Sequence, residues 1–323
     1  MKKTLGLMYG AVALVLTLGA LAMQDANAAP PGPEVCKACH EPYFNSFSST
    51  VHGNAAHPRS PASKDGCASC HGDGTKHVEA GGGKGVGGII NPGSKSMSAD
   101  AKDKICLTCH EANRHLAFWD SGKHRKNDVS CTNCHSTHGD RDTLLKINNP
   151  QIAPLVNTTR VPQQEVCFTC HRDIRALVMR PSHHPIVEGK IKCTSCHNPH
   201  GALSPAMVNA ESIKELCTTC HADKRGPFMF EHPPVEESCL NCHNPHGART
   251  VKLLNEKVPN LCQDCHDAAQ HPGTMYDADN NFKAPSTSTG GPNTRFIARS
   301  CMNCHNEIHG SNTPATRGKR LVR

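Results

Sequence analysis

Every cysteine of this 323-residue chain lies in the same short motif. The 20 cysteines form ten Cys-x-x-Cys pairs, and histidine follows each pair directly. In chain order the ten are Cys36, Cys39 and His40; Cys67, Cys70 and His71; Cys106, Cys109 and His110; Cys131, Cys134 and His135; Cys167, Cys170 and His171; Cys193, Cys196 and His197; Cys217, Cys220 and His221; Cys239, Cys242 and His243; Cys262, Cys265 and His266; and Cys301, Cys304 and His305. Two thiols one helical turn apart add to the two vinyl groups of a haem, and the adjacent imidazole then lies under the iron. Five zinc ribbons or a disulfide framework would use the same cysteines, but neither needs histidine at the next position. Histidine makes up 23 of 323 residues, about 7%, so ten hits in ten are not chance. The motifs imply ten covalently attached haem c groups.

Composition agrees, because Leu, Ile, Val and Phe total 55 of 323 residues, or 17%, below the ~20% at which an ordinary apolar core becomes doubtful. Rossmann, TIM-barrel and large β-sandwich folds need long apolar strands that this chain lacks. Ten porphyrins supply the missing apolar surface. The expected fold is therefore a multihaem cytochrome c, elongated, with short helices and loops packed around a chain of ten haems and little or no sheet. The formal charge of +7 carries no nucleic-acid signal, since each ferric haem with two propionates and neutral axial ligands adds one negative charge. Lys and Arg read as propionate partners and solvated surface.

Residues 1–28 read as a secretory signal peptide: Lys2 and Lys3, an apolar run from Leu5 to Met23, then the small-residue site Ala26-Asn27-Ala28. Export to the periplasm is the expectation.

Taken in consecutive pairs, the motifs divide the mature chain into five dihaem repeats: 29–95, 96–155, 156–206, 207–253, and 254–323 with a basic tail. Val35, Ile105, Val166, Leu216 or Leu261 precedes the first motif of each pair, and Gly66, Ser130, Lys192, Ser238 or Ser300 the second. One histidine lies between the two motifs (His52, His124, His184, His232, His271) and another soon after the second (His77, His138, His200, His246, His309). These ten are the candidate distal ligands for bis-His coordination of iron. His57, His115 and His183 are left as surface or propionate-facing residues. His138, His200 and His246 come only three residues after a motif histidine, too few to reach the opposite face of the same haem. They are expected to ligate a neighbouring haem, with the first haem of their own pair as the favoured partner and the exact pairing left open. His271 is the least regular of the ten. Gly81–Gly93 and Pro272–Arg299 read as flexible surface loops, and the tail after Gly310, with Arg317, Lys319, Arg320 and Arg323, as a solvated end.

The chain resembles the periplasmic decahaem cytochromes of the MtrA, MtoA, PioA and DmsE family. The likeness rests on the ten motifs at this spacing, CHNPHG at Cys196 and Cys242, HADKRGPFMFEHPPV from His221 to Val235, and RSCMNCHNEIHGSN from Arg299 to Asn312. It implies the same ten distal histidines, with His184 rather than His183 before Pro185. It also implies insertion into an outer-membrane β-barrel porin, with electrons passing between periplasmic or inner-membrane cytochromes and the cell exterior. There the expected counterpart is iron or another metal compound, or an extracellular multihaem cytochrome. The sequence has no amphipathic strands from which to build a barrel of its own. An electron carrier without substrate turnover is the leading reading, outer-sphere Fe(II)/Fe(III) exchange at an exposed haem being compatible with it. Two alternatives stay open: a soluble periplasmic storage or shuttle cytochrome, and a multihaem oxidoreductase with an open haem site.

Overall fold

A computed structural model describes residues 30–138, 163–266 and 301–322. The leader, His271 and the Pro272–Arg299 segment lie outside the described residues. The chain divides into two compact units, Met1–Cys106 with His135–Asn157, and Leu107–Cys134 with Thr158–Arg323. Among the described residues there are twelve short α-helices and nine 3-10 turns. Strand pairing is limited there to isolated bridges, in line with the fold expected for a chain so poor in apolar strands. No described helix is long and apolar enough to cross a membrane.

The two longest helices, Pro33–Ser48 and Ala99–His110, each carry an odd-numbered motif. Pro33 opens the first at a position that needs no N–H, and Glu34 stands favourably in its first turn. His40 leaves helical geometry at φ −118°, ψ 39°, two residues before Pro42, so the helix kinks at the motif histidine. In the second, the Ser98 hydroxyl accepts from the Ala101 N–H at 3.2 Å and satisfies one of the unpaired donors of the first turn. Elsewhere the motif itself makes the turn. The histidine N–H donates to the carbonyl of the first cysteine at 2.9–3.0 Å in the motifs from Cys67, Cys167, Cys193, Cys217, Cys239, Cys262 and Cys301. One such turn puts both sulfurs and the imidazole on one face.

The side-chain core is small. Among the described residues the buried apolar side chains are Trp119, Phe168, Val178, Ile186, Val208 and Ala248. Phe168, Val178 and Ile186 make one cluster, flanked by Ile174 and Ile191.

Within the second unit, successive repeats meet at similar joints. Ser182 pairs with Ala248 through hydrogen bonds of 3.3 and 2.8 Å, and Phe230 pairs with Ser311 through two of 2.9 Å. Ser182 and Phe230 lie two residues before a candidate ligand, His184 or His232. Ala248 and Ser311 lie two residues after another, His246 or His309. The glycine between each of those histidines and its bridge residue has no substitute. A Cβ on Gly247, at φ +154°, would stand 2.0 Å from the Leu177 carbonyl oxygen, and one on Gly310, at φ +134°, 2.2 Å from the Phe228 ring.

Two segments read from the sequence as exposed do more than face solvent. In the tail after Gly310 the charged residues Arg317, Lys319 and Arg320 are exposed as expected, but the backbone is folded. It turns back through the helix Thr316–Lys319, buries Gly318, and places the Arg320 carbonyl 2.7 Å from His305 Nδ1. Gly81–Gly93 is mostly exposed, as expected of a surface loop, and also takes part in the site. It contains a 3-10 turn at Val86–Gly88, and its end meets the first repeat's histidines: the Val86 carbonyl is 3.1 Å from His77 Nδ1, and the Ile90 carbonyl 2.8 Å from His71 Nδ1. In both segments small or polar residues conceal a role played by backbone carbonyls.

Gly247→Ala should lower the stability of the haem-loaded protein by about 2 kcal/mol or more, through strain and overlap together. Gly189→Ala, also at positive φ (+71°) but with open space around it, should cost about 1 kcal/mol. Thermal unfolding followed by circular dichroism measures both.

Candidate haem-binding sites

Imidazole rings meet in pairs at one repeated separation. Ring centres are 6.3 Å apart for His40 and His77, 6.0 Å for His71 and His138, 6.1 Å for His124 and His171, and 6.3 Å for His184 and His221. They are 6.0 Å apart for His197 and His246, 6.1 Å for His232 and His266, and 6.1 Å for His243 and His309. A metal–imidazole bond of about 2 Å, with the ring centre about 1.1 Å beyond the nitrogen, puts two rings on opposite faces of one metal about 6.2 Å apart. Direct stacking of parallel rings would bring them closer. Each pair joins one motif histidine to one candidate distal histidine, which is the donor set a six-coordinate haem iron takes.

Hydrogen bonds orient these rings for that task. In four of the five even-numbered motifs the motif ring is held: His71 Nδ1 faces the Ile90 carbonyl at 2.8 Å, His197 that of Ala206 at 2.9 Å, His243 that of Lys252 at 2.8 Å, and His305 that of Arg320 at 2.7 Å. In three odd-numbered motifs the held ring is the distal one: His77 at Val86, His124 at Pro199 (2.9 Å) and His184 at Pro245 (2.8 Å). A carbonyl accepts only, so Nδ1 carries the proton and donates, and Nε2 keeps its lone pair for a metal. Burial holds the pKa of His138, His232, His246 and His309 below the ordinary imidazole value, which also favours neutral rings at pH 7.

Backbone strain gathers at the carbonyls that hold the even-numbered motif rings. Six non-glycine residues among those described have positive φ, and five lie there: Ala206, Met207, Lys252, Leu253 and Leu321. Left-handed geometry costs roughly 1 kcal/mol per residue. Two successive such residues turn the Ala206 or Lys252 carbonyl back toward the motif, while the Asn209 and Asn255 N–H groups bond to the Cys196 and Cys242 carbonyls. These acceptors were missed in the sequence because any residue offers a carbonyl. The shared asparagine after each second motif was the available signal.

The expected partner of the close-set histidines is corrected. His138 meets His71 of the preceding repeat, not His110, the first motif histidine of its own pair. His246 likewise meets His197, not His221. For His246 the short step after the motif runs into the joint with the previous repeat, where the bridge between Ser182 and Ala248 sets the ring backward. His184 and His232 cross the same joints forward, to His221 and His266. His183 takes no part: its Nε2 is 3.0 Å from Glu188 and its Nδ1 faces the Arg180 carbonyl, so both nitrogens are used. The hydrogen bond to Glu188, more than that to Arg180, raises its pKa.

The cysteines order the motifs in space. First cysteines touch within a repeat: Cys36 with Cys67, Cys167 with Cys193, Cys217 with Cys239, and Cys262 with Cys301. Second cysteines are neighbours between repeats: Cys134 with Cys170, Cys196 with Cys220, and Cys242 with Cys265. From Cys131 to Cys301 each motif therefore adjoins the next in chain order. None of the twenty cysteines is in a disulfide. Among the described residues no three His, Cys, Asp or Glu side chains converge on a bare-ion site.

The sequence is similar to known multihaem cytochromes. The doubled CXXCH motif family matches residues 183–226 and 232–271, and the cytochrome c-type protein NrfB-like family matches 67–157. The multiheme cytochrome MtrA of Shewanella baltica is 36% identical over 303 residues, covering 93% of this chain and 84% of that protein. The cytochrome c-type protein NrfB of Escherichia coli is 28% identical over 138 residues, 38% of this chain and 67% of NrfB.

His246→Ala should produce one high-spin, carbon monoxide-binding haem per molecule, and that haem should belong to the motif at Cys193. In a Cys193→Ala, Cys196→Ala background the same change should add no high-spin signal. Optical and resonance Raman spectra of the four proteins check the assignment.

Proposed function

The chain belongs to the MtrA family of multihaem cytochromes, and on that premise we propose that it is a decahaem conduit moving electrons between the periplasm and the cell exterior. In this reading the leader exports it to the periplasm and an outer-membrane β-barrel porin holds it. Periplasmic or inner-membrane cytochromes exchange electrons with it at one end, and extracellular iron, another metal compound or an external multihaem cytochrome at the other. Covalent haem c and electron transfer follow from family membership; the count of ten, bis-His ligation throughout, the location and the porin are the proposal.

The observation that carries it is the single file of motifs from Cys131 to Cys301. Haem c supplies reversible one-electron chemistry, with a potential set by its axial ligands and surroundings. The cysteine pairs would fix each group by two thioether bonds. The paired imidazoles would occupy both axial positions, so no coordination site is left for a substrate, which supports a carrier over an oxidoreductase. For the motif histidines His110, His135 and His305 the candidate set leaves His52, His200 and His271, three for three. Within the second unit, histidines donated across joints join the second, third, fourth and fifth repeats in chain order. A barrel lumen is polar and suits a chain whose surface is charged and whose side-chain core is small.

Intact mass of the exported protein should equal the chain after residue 28 plus ten haems, and the reduced protein should bind no carbon monoxide. Reconstituted in liposomes with its porin, the protein should let an external reductant reduce a sealed acceptor, while either component alone does not. If it purifies as a free monomer and no barrel raises transmembrane electron flux, the conduit reading gives way to periplasmic storage.

A further inference from the structure

Five of the seven imidazole pairs given above for the described residues are close to parallel, at 9–17° between ring planes. Two are crossed: His124 with His171 at 60°, and His184 with His221 at 51°. The crossed pairs share a feature that the others lack. In each, the distal Nδ1–H donates to the proline carbonyl of a His-Asn-Pro-His segment on the next repeat, His124 to Pro199 and His184 to Pro245.

A third joint provides the comparison. His232 holds the corresponding position, but it faces His305-Asn306-Glu307-Ile308-His309, one residue longer and without proline. The Ile308 carbonyl, in the place of the proline carbonyl, still faces it but outside good hydrogen-bond geometry, so the buried Nδ1 has no well-aligned partner, and its ring lies at 17° to His266. The first site differs again: the distal ring of His77 is held by Val86, nine residues on in the same repeat, and stays parallel to His40. Hydrogen bonding alone thus does not cross the planes; the direction from which the proline carbonyl approaches does.

We infer that the carbonyls of Pro199 and Pro245 are positioning groups that turn the distal imidazoles of two sites, at the motifs from Cys167 and Cys217, and make those irons electronically distinct from their neighbours. The inference rests on the bis-His haem reading above and adds to it. An imidazole donates π density into the iron d orbital perpendicular to its own plane. Parallel rings raise the same orbital and split the pair, whereas crossed rings raise both. The splitting follows the cosine of the angle between planes, so at 51–60° it falls to about half to two-thirds of its parallel value. Less splitting leaves more orbital angular momentum and a larger maximum g value in the ferric low-spin state. The site at Cys193, which stands between these two in the file, keeps parallel ligands (17°), so two distinct irons flank an ordinary one.

Electron paramagnetic resonance of the fully oxidised, haem-loaded protein tests this. The wild-type spectrum should contain, beyond rhombic low-spin signals, a component of larger maximum g that integrates to at least two haems. Inserting a glutamate between Asn244 and Pro245, together with Pro245→Ile, copies the last joint into the fourth repeat and should remove one haem equivalent of that component. Deleting Glu307 with Ile308→Pro makes the reverse exchange and should add one, at the site of His232 and His266. This gain cannot come from misfolding. A wild-type spectrum with rhombic signals alone overturns the inference, and so does a large-g component that both variants leave unchanged. Should either variant fail to bind its full haem complement by mass, the wild-type spectrum and the other variant decide. A high-spin signal in the wild type would instead count against bis-His ligation itself, and so tells the two failures apart.

Discussion

An imidazole passed from one repeat to the next, and a second returned across the same joint, is the interaction on which the rest of the structure depends. His184 leaves the third repeat for His221 and His246 comes back to His197; His232 and His309 make the same exchange one joint later. Under the proposed bis-His ligation each exchange would fix distance and angle through directional coordination bonds, where a thin apolar interface would leave both loose. A chain with six buried apolar side chains among its described residues has few other means of holding repeats in register.

The fine structure of each joint serves that exchange. Ser182 with Ala248 and Phe230 with Ser311 form two-residue bridges too short to be stable alone. Their value is placement, since each lies two residues from both histidines it aligns. Glycine follows the returning histidine because the neighbouring repeat leaves no room for a Cβ. The strained residues at 206–207 and 252–253 stand where a carbonyl must turn back toward a motif ring. Strain and close packing therefore gather around the ligands, as expected when surrounding contacts hold a site in a conformation the backbone disfavours.

A donor set that would fill both faces of an iron suits the proposed carrier, and its rigidity would serve the same end: imidazoles held by backbone carbonyls move little when charge changes. The folded tail extends this to the last motif, where the Arg320 carbonyl takes the part that Ala206 and Lys252 play earlier. The likeness to MtrA runs over 93% of the chain.

The sequence by itself determined the cofactor class, the repeat of two motifs, the near absence of sheet and the histidines available as ligands. All of these follow from which residue types stand next to one another, because one helical turn is enough to bring Cys, Cys and His onto a single face. Only the tertiary structure decided which histidine meets which. His246 is three residues from His243 in the chain, yet it pairs with His197, 49 positions away, since a ring cannot reach around its own haem but can cross a joint. The carbonyls that hold the rings were equally illegible. Every residue carries one, and what selects Pro199, Pro245, Ala206 or Lys252 is the direction in which the folded backbone points it.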